Sequence, residues 1–249
     1  MKIDKKWLKL VTELDFAFQP IVNTKTGKIF AVEALLRKTN KVGFDNIFDF
    51  FDEAYKREQL YNTDLLLRGK AIHKFIDIDI NNIMLFFNLD NRILFDESYE
   101  KGNTKSILKK LELKKKSICF ELSERGSLPS AKDLAKVLKN YKDEGFKIAI
   151  DDFGQGISGM ELLYNSNPNF LKIDKFFIRY VPNDIKKQII LNSIVTLSHQ
   201  LGIKVIAEGV ETKDELKWCQ SLNIDFIQGY YIQKPQLNIS KLQSVYDFK

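Results

Sequence analysis

Short runs of apolar and β-branched residues recur along the chain, each followed by a longer segment with helical spacing. The runs are Phe16–Val22, Ile29–Glu33, Ile83–Asn88, Ser117–Glu121, Lys147–Asp151, Phe170–Asp174, Lys204–Glu208 and Phe226–Tyr231. Between them the pattern predicts helices over Asn46–Glu58, Asp64–Ile76, Ser130–Glu144, Asp184–Leu201 and Lys213–Leu222. Pro129 and Ser130, with Asp133 three residues on, mark one helix start, and Gly145 and Gly202 mark two ends. Strand-like runs alternating with helices predict an α/β protein with a mostly parallel sheet, and eight runs is the strand count of a (β/α)8, TIM-like barrel. Only Asn23–Lys28 joins the first two runs, too short for a crossover helix. That link reads as a hairpin, which makes one strand near the N-terminus antiparallel. A short helix over about 5–14 and a barrel over about 15–249 form a single expected domain, because no Pro/Gly/Ser-rich linker divides the sequence.

Nearly every run ends in a polar or ionisable residue: Glu33, Asn88, Glu121, Asp151, Lys172, Glu208 and Gln228. Barrel enzymes collect their chemistry at the carboxyl ends of their strands. One acidic strand end means little, but a whole series exceeds what strand termination requires. Carboxylates and an amide oxygen facing one pocket must either hold protons or bind a cation. These are hard oxygen donors, suited to Mg²⁺ or Mn²⁺. The adjacent pair Asp151-Asp152 could serve two metal ions with Asp151 bridging, the arrangement that clamps an in-line displacement at phosphorus. Lys172 could steer an attacking water or neutralise phosphate charge. The lesser alternative is a structural salt bridge to Asp174 or to a metal-ligand carboxylate. Zinc is disfavoured, since His73 and His199 fall in helical segments. Cys119, two residues before Glu121 on the same strand face, reads as a small residue filling the barrel. Asp151-Asp152-Phe153-Gly154 contains the Asp-Phe-Gly of protein kinases, but no accompanying kinase motif is present.

Composition narrows the classes. Hydrophobic residues make up 44% of the chain and include 19 Phe, which excludes intrinsic disorder, while 12 Gly and 5 Pro exclude collagen-like and low-complexity chains. Two cysteines cannot form a disulfide framework at this length, so a cytoplasmic, reducing compartment is expected. No run reaches the ~20 apolar residues that span a bilayer, and Met1–Lys6 lacks the apolar region of a signal peptide. The net charge of +6 comes from dispersed lysines, which read as a solvated surface and not as a site for a nucleic-acid polymer.

Taken together the motifs resemble the bacterial EAL-domain cyclic-di-GMP phosphodiesterases. The resemblance rests on Phe18-Gln19-Pro20-Ile21-Val22, Glu33-Ala34-Leu35-Leu36-Arg37, Phe87-Asn88-Leu89, Phe120-Glu121-Leu122-Ser123-Glu124, Asp151-Asp152-Phe153-Gly154, Leu171-Lys172-Ile173-Asp174, Ala207-Glu208-Gly209-Val210-Glu211, and Gln228-Gly229-Tyr230 with Pro235. It implies a modified (β/α)8 barrel with one antiparallel strand and hydrolysis of cyclic di-GMP to linear 5′-pGpG with two Mg²⁺ or Mn²⁺ ions. By the same resemblance, Glu33, Asn88, Glu121 and Asp151 bind the first ion, and Asp151, Asp152 and Glu208 the second. Lys172 sits near the catalytic water, and either Glu208 or Lys172 is the base. Gln19, Leu35, Arg37 and Gln228 contact substrate, and Glu124 anchors the loop after Asp152. The chain departs from the family in that loop, with Gln155, Ile157 and Ser158-Gly159 in place of the usual Thr, Tyr and paired Ser, and it carries Lys38 where an aromatic is common. In relatives the loop couples the metal site to a dimer interface, so a homodimer is expected to be weak or metal-dependent. An inactive cyclic-di-GMP receptor or a protein-interaction module is the alternative, but every expected metal-ligand position is filled.

Overall fold

The computed structural model describes residues 3–95, 102–110, 117–123, 138–156 and 159–248. Its strands are β1 (Asp15–Asn23), β2 (Ile29–Arg37), β3 (Met84–Leu89), β4 (Ile118–Ser123), β5 (Lys147–Phe153), β6 (Phe170–Ile173), β7 (Lys204–Ala207) and β8 (Phe226–Ile227), and they close in that order into a barrel. β1 is antiparallel to both β2 and β8, and every other neighbouring pair is parallel. The α/β barrel with one reversed strand is thus what the chain adopts. The hairpin turns where Asn23 Oδ1 accepts the backbone N–H groups of Lys25 and Thr26 at 3.1 and 3.0 Å. Gly27 then takes φ +66, and a Cβ there would lie 1.9 Å from the Tyr246 carbonyl oxygen.

The helices are α1 (Lys5–Glu13), α2 (Ile47–Lys56), α3 (Leu60–Ile76), α4 (Asn103–Lys110), α5 (residues 138–143), α6 (Gly159–Ser166), α7 (Lys175–Ile178), α8 (Ile185–Gln200) and α9 (Lys213–Ser221). Side chains accept backbone N–H groups at several N-termini: Asp4 for α1, Asn46 for α2, Asp184 for α8, and Thr212 with Glu215 as a full capping box for α9. The expected start at Ser130 lies outside the described residues. Gly159, read from sequence as part of a loop, instead opens α6. No described helix is long and apolar enough to cross a membrane.

The period-two alternation of each strand builds two apolar layers. Outward residues such as Val32, Leu85, Phe120, Ile150 and Leu171 pack beneath the helices. Inward, each strand contributes one residue to a plug: Ile21, Ala31, Phe86, Cys119, Ala149, Phe170, Ile206 and Phe226. Phe30 stacks on Phe226 at 3.9 Å between ring centroids and fills out this plug. Cys119 is fully buried in it, in the filler role read from sequence. One inward step further along each parallel strand (two residues in sequence) come Glu33, Asn88, Glu121, Asp151, Lys172, Glu208 and Gln228. On the reversed β1 the same step runs backward, from Ile21 to Gln19, which lies opposite Glu33 in the ladder. The polar layer is therefore the next floor above a dry one, and the plug closes it from below.

β8 is shorter than the predicted Phe226–Tyr231 run. The chain turns after Gln228, where Gly229 packs against the Val210 backbone so closely that a Cβ would lie 2.0 Å from the Val210 carbonyl oxygen. The gap this leaves beside the upper half of β1 is filled by the C-terminal segment. Phe18 and Gln236 exchange both backbone hydrogen bonds, at 2.9 and 2.8 Å, and Lys28 bridges to Val245 farther down.

Candidate active site

Four strands aim carboxylates at one ammonium group. Lys172 Nζ on β6 lies 2.5 Å from Glu121 Oε1, 2.8 Å from Glu208 Oε1, 2.9 Å from Asp151 Oδ1 and 3.3 Å from Glu33 Oε2. Lys172 and Glu121 are fully buried, and the plug beneath them keeps the local dielectric low. Of the two salt-bridge readings of Lys172, the partners are the ring carboxylates. Asp174 instead caps α7 by accepting the Phe176 N–H at 2.7 Å. The lysine pKa, which burial alone would lower, is held well above its ordinary range by Asp151, Glu121, Glu208 and Glu33. Burial pushes Glu121 and Glu208 well above the carboxylate range, and neighbouring carboxylates add to it against the pull of Lys172. Glu33 moves the other way. Its burial is outweighed by Lys172 and by hydrogen bonds from Gln228 Nε2 at 2.6 Å and Asn88 Nδ2 at 2.9 Å.

One ammonium cannot satisfy this many carboxylates. Both oxygens of Glu121 and Oδ1 of Asp151 are buried without a hydrogen bond of proper geometry, despite the short approach to Lys172. Buried acceptors left in that state cost free energy unless a proton or a cation meets them. Asp151, Asp152 and Glu208 each present an oxygen within 4.8 Å of the others, an all-oxygen set of the kind hard divalent cations select. The residues present therefore fit a divalent cation centre.

The backbone explains how two consecutive residues face one site. Strict alternation would turn Asp152 away from the side that Asp151 faces. Instead Asp152 adopts φ +53, and the β5–β6 ladder slips between Ile150 and Phe153. Left-handed backbone is costly for most residues and least so for Asn and Asp. As a result both carboxylates line the same cavity of about 1110 Å³, together with Glu33, Asn88 and Arg37. Asp152→Asn retains the tolerance for this backbone and removes only the charge. Its melting point in EDTA should stay within the equivalent of about 0.5 kcal/mol of wild type, while calorimetric Mn²⁺ affinity falls at least about tenfold.

Leu35 and Arg37, half-buried on β2, line the cavity beside α2 residues including Phe48 and Phe51. Lys38 takes a left-handed turn and reaches back to Asp15 Oδ2 at 2.9 Å. Lys38 and Lys74 overcome the burial of that carboxyl and bring its pKa down to about 2. Gln19 and Gln228 sit side by side in the polar layer, Gln228 Nε2 donating to Gln19 Oε1 at 3.0 Å. All the strand-end residues named from sequence thus converge on one mouth. Glu124, Ile157 and Ser158 lie outside the described residues. Sequence reasoning did not anticipate that Gln233 reaches this mouth, because it acts there through its main-chain carbonyl, which accepts from Gln19 Nε2 at 3.1 Å.

An eight-stranded barrel with a reversed first strand and an acidic cluster fit for a cation at the carboxyl ends of its strands defines the class. The chain belongs to the EAL domain family, whose sequence profile matches residues 9–235. It is 30% identical over 233 residues to the probable cyclic di-GMP phosphodiesterase PdeG of Escherichia coli K12, covering 88% of this chain and 44% of that protein. The chain spans roughly half or less of the length of the first curated relatives it matches. Among solved structures, a standalone EAL protein of Vibrio cholerae O395 in its c-di-GMP-bound form superposes with a TM-score of 0.81 at 30% identity, covering 90% of this chain and 92% of that one. Klebsiella pneumoniae BlrP1, in a manganese and cyclic-di-GMP complex at pH 9.0, superposes with a TM-score of 0.78 at 29% identity, covering 90% of this chain and 56% of that one. BlrP1 has also been solved with calcium and the same dinucleotide.

Proposed function

We propose that this chain hydrolyses cyclic di-GMP to linear 5′-pGpG with two divalent cations, Mg²⁺ or Mn²⁺. The observation that carries the proposal is the set of buried carboxylate oxygens left without hydrogen bonds around Lys172, opening on a cavity that also presents Arg37. Glu33, Asn88, Glu121 and Asp151 would hold one cation, and Asp151, Asp152 and Glu208 the other. When bound, the cations supply Lewis-acid activation of water and neutralise charge on the scissile phosphate. Arg37 brings positive charge to the phosphate, and Gln19, Leu35 and Gln228 fix the dinucleotide against the strand ends. Lys172, enclosed by carboxylates, keeps its proton and orients the nucleophile, which leaves Glu208 to accept the proton. The side chain of Glu208 is 18% exposed, against 0% for Lys172, so it has the route to solvent that a base needs to discharge. Cys119 and Cys219 are both buried free thiols, in keeping with a cytoplasmic location. Incubation with cyclic di-GMP and either metal, with chromatography for pGpG, tests the reading. No turnover with Mg²⁺ or Mn²⁺ would refute it, and tight binding without turnover would make the chain a receptor.

Two expectations follow from the same reading. Ca²⁺ should bind but not support turnover, because it takes ~6–8 oxygens at ~2.3–2.6 Å where Mg²⁺ holds ~2.0–2.1 Å. The looser site misplaces the nucleophile, at a cost of about 10²-fold. Equal rates with Ca²⁺ and Mg²⁺ would contradict this. The homodimer, with Gln155 and Ile157 replacing the usual loop residues, should be weak or metal-dependent, and sedimentation should give monomer in EDTA. A tight dimer without metal would show those replacements to be neutral.

A further inference from the structure

The C-terminal tail beyond the family match clamps the side chain of Gln233, whose main-chain carbonyl stands at the mouth of the barrel. The family profile stops at residue 235. Beyond it, Tyr246 Oη donates to Gln233 Oε1 at 2.7 Å and accepts the Gln243 N–H at 3.1 Å. Gln233 Nε2 donates to the Lys241 carbonyl at 2.9 Å, so the tail clamps both ends of the Gln233 amide. The Gln233 carbonyl in turn accepts from Gln19 Nε2 at 3.1 Å, Gln19 Oε1 accepts from Gln228 Nε2 at 3.0 Å, and Gln228 Nε2 donates to Glu33 Oε2 at 2.6 Å.

A side-chain amide can turn over and exchange its donor for its acceptor. Here it cannot do so without loss. The Gln233 carbonyl and the Glu33 carboxylate only accept. The carbonyl therefore sets the amide of Gln19, and Gln19 together with Glu33 sets that of Gln228. Both N–H bonds of Gln228 are then committed, and its Oε1 is left as a buried acceptor with no donor. A substrate donor that meets the oxygen of Gln228 would meet an N–H if the amide turned over. We infer that Tyr246 is a positioning residue: by clamping the Gln233 side chain it holds the Gln233 main-chain carbonyl against Gln19 Nε2, and so keeps Gln19 and Gln228 in the amide orientations with which the site receives the cyclic dinucleotide. This inference rests on the phosphodiesterase reading for its substrate, but not for its geometry.

Tyr246→Phe removes the hydroxyl and keeps the buried ring. It should raise KM for cyclic di-GMP about fivefold, the scale of one hydrogen bond, with kcat within about twofold. A tail that merely stabilised the fold would act additively with any other change. A positioning residue acts through Gln19, so in a Gln19→Ala background the Tyr246→Phe substitution should leave KM unchanged. An unchanged KM in the single variant, or the same fivefold rise in the Gln19→Ala background, would overturn the inference. Side-chain amide NMR of Gln19 and Gln228, with Gln→Ala variants for assignment, separates it from the activity reading. Tyr246→Phe should shift both pairs of amide signals whether or not the wild type turns over cyclic di-GMP, and unshifted signals would likewise overturn it. Failure of the wild type to hydrolyse the dinucleotide with these shifts intact would remove the proposed activity and leave the clamp standing.

Discussion

Asp151→Ala is expected to lower the proposed turnover of cyclic di-GMP by at least ~10²–10³-fold and to leave the metal-free melting point at or above that of wild type. The rate loss follows from position. Asp151 stands at the mouth of the barrel with one oxygen 2.9 Å from Lys172, and it shares a cavity wall with Asp152. It is the one carboxylate assigned to both cations, and losing even a single electrostatic stabiliser of a transition state costs ~10²–10³ in rate. The stability result follows from charge. Four carboxylates (Glu33, Glu121, Asp151 and Glu208) share one buried ammonium, so without metal the cluster is over-supplied with negative charge. Removing one member relieves repulsion. A site arranged for binding at the expense of stability behaves this way. Thermal melts with EDTA and with Mn²⁺ separate the two effects, since the variant should lose most of the stabilisation that Mn²⁺ gives the wild type. Wild-type activity in Asp151→Ala would break the two-cation assignment.

How much of this was legible in the sequence depends on which interaction places each residue. The strand-end residues could be read because alternation is a local rule. Ala31 and Glu33, Cys119 and Glu121, and Phe170 and Lys172 are each two residues apart, and a strand that buries the first in the plug must turn the second inward. The reversed first strand was legible because six residues cannot carry a crossover. Strand ends were less so. β2 runs on to Arg37 because β1 continues to pair with it, whereas β8 stops at Ile227 because Gly229 meets the Val210 backbone. Both limits are set by partners distant in sequence. The left-handed turn at Asp152 had no local signature, since an Asp-Asp pair at a strand end does not specify the backbone that turns both carboxylates to one side. The return of the tail to β1 at Gln236, and the use of the Gln233 carbonyl, are main-chain contacts that residue identity does not encode. Lys172 was named from its strand position, but its simultaneous approach to four carboxylates depends on the radius of the barrel and the length of its side chain. No one-dimensional pattern specifies either.

That approach gives the other large expected effect, in Lys172→Met. Methionine fills much the same volume and removes the charge, leaving Glu33, Glu121, Asp151 and Glu208 without their shared counter-ion. Breaking a buried ion pair by deleting one partner costs ~3–5 kcal/mol, on the order of 10 °C in melting point for a chain this size. The pH dependence has a definite sign. In wild type the raised pKa of Lys172 means that its contribution to stability is fully present below the ordinary lysine value of 10.5 and is lost only as pH rises through the folded-state value. In the variant, Glu121 and Glu208, already raised by burial in the wild type, lose the lysine that opposes that shift and are pushed further above their unfolded values. They remain protonated and tolerated near pH 5, and they destabilise the fold as pH rises through their raised values. The deficit against wild type should therefore be small at pH 5 and large at pH 8. Mn²⁺ should restore most of it, because a divalent cation supplies the missing positive charge, and Mn²⁺ affinity should hold or improve with the competing ammonium gone. Turnover should not return, since the group proposed to orient the nucleophile is absent. A variant whose melting point in EDTA matches wild type at pH 8 would show that the carboxylates do not depend on Lys172, and the assignment of the lysine as their shared counter-charge would fall.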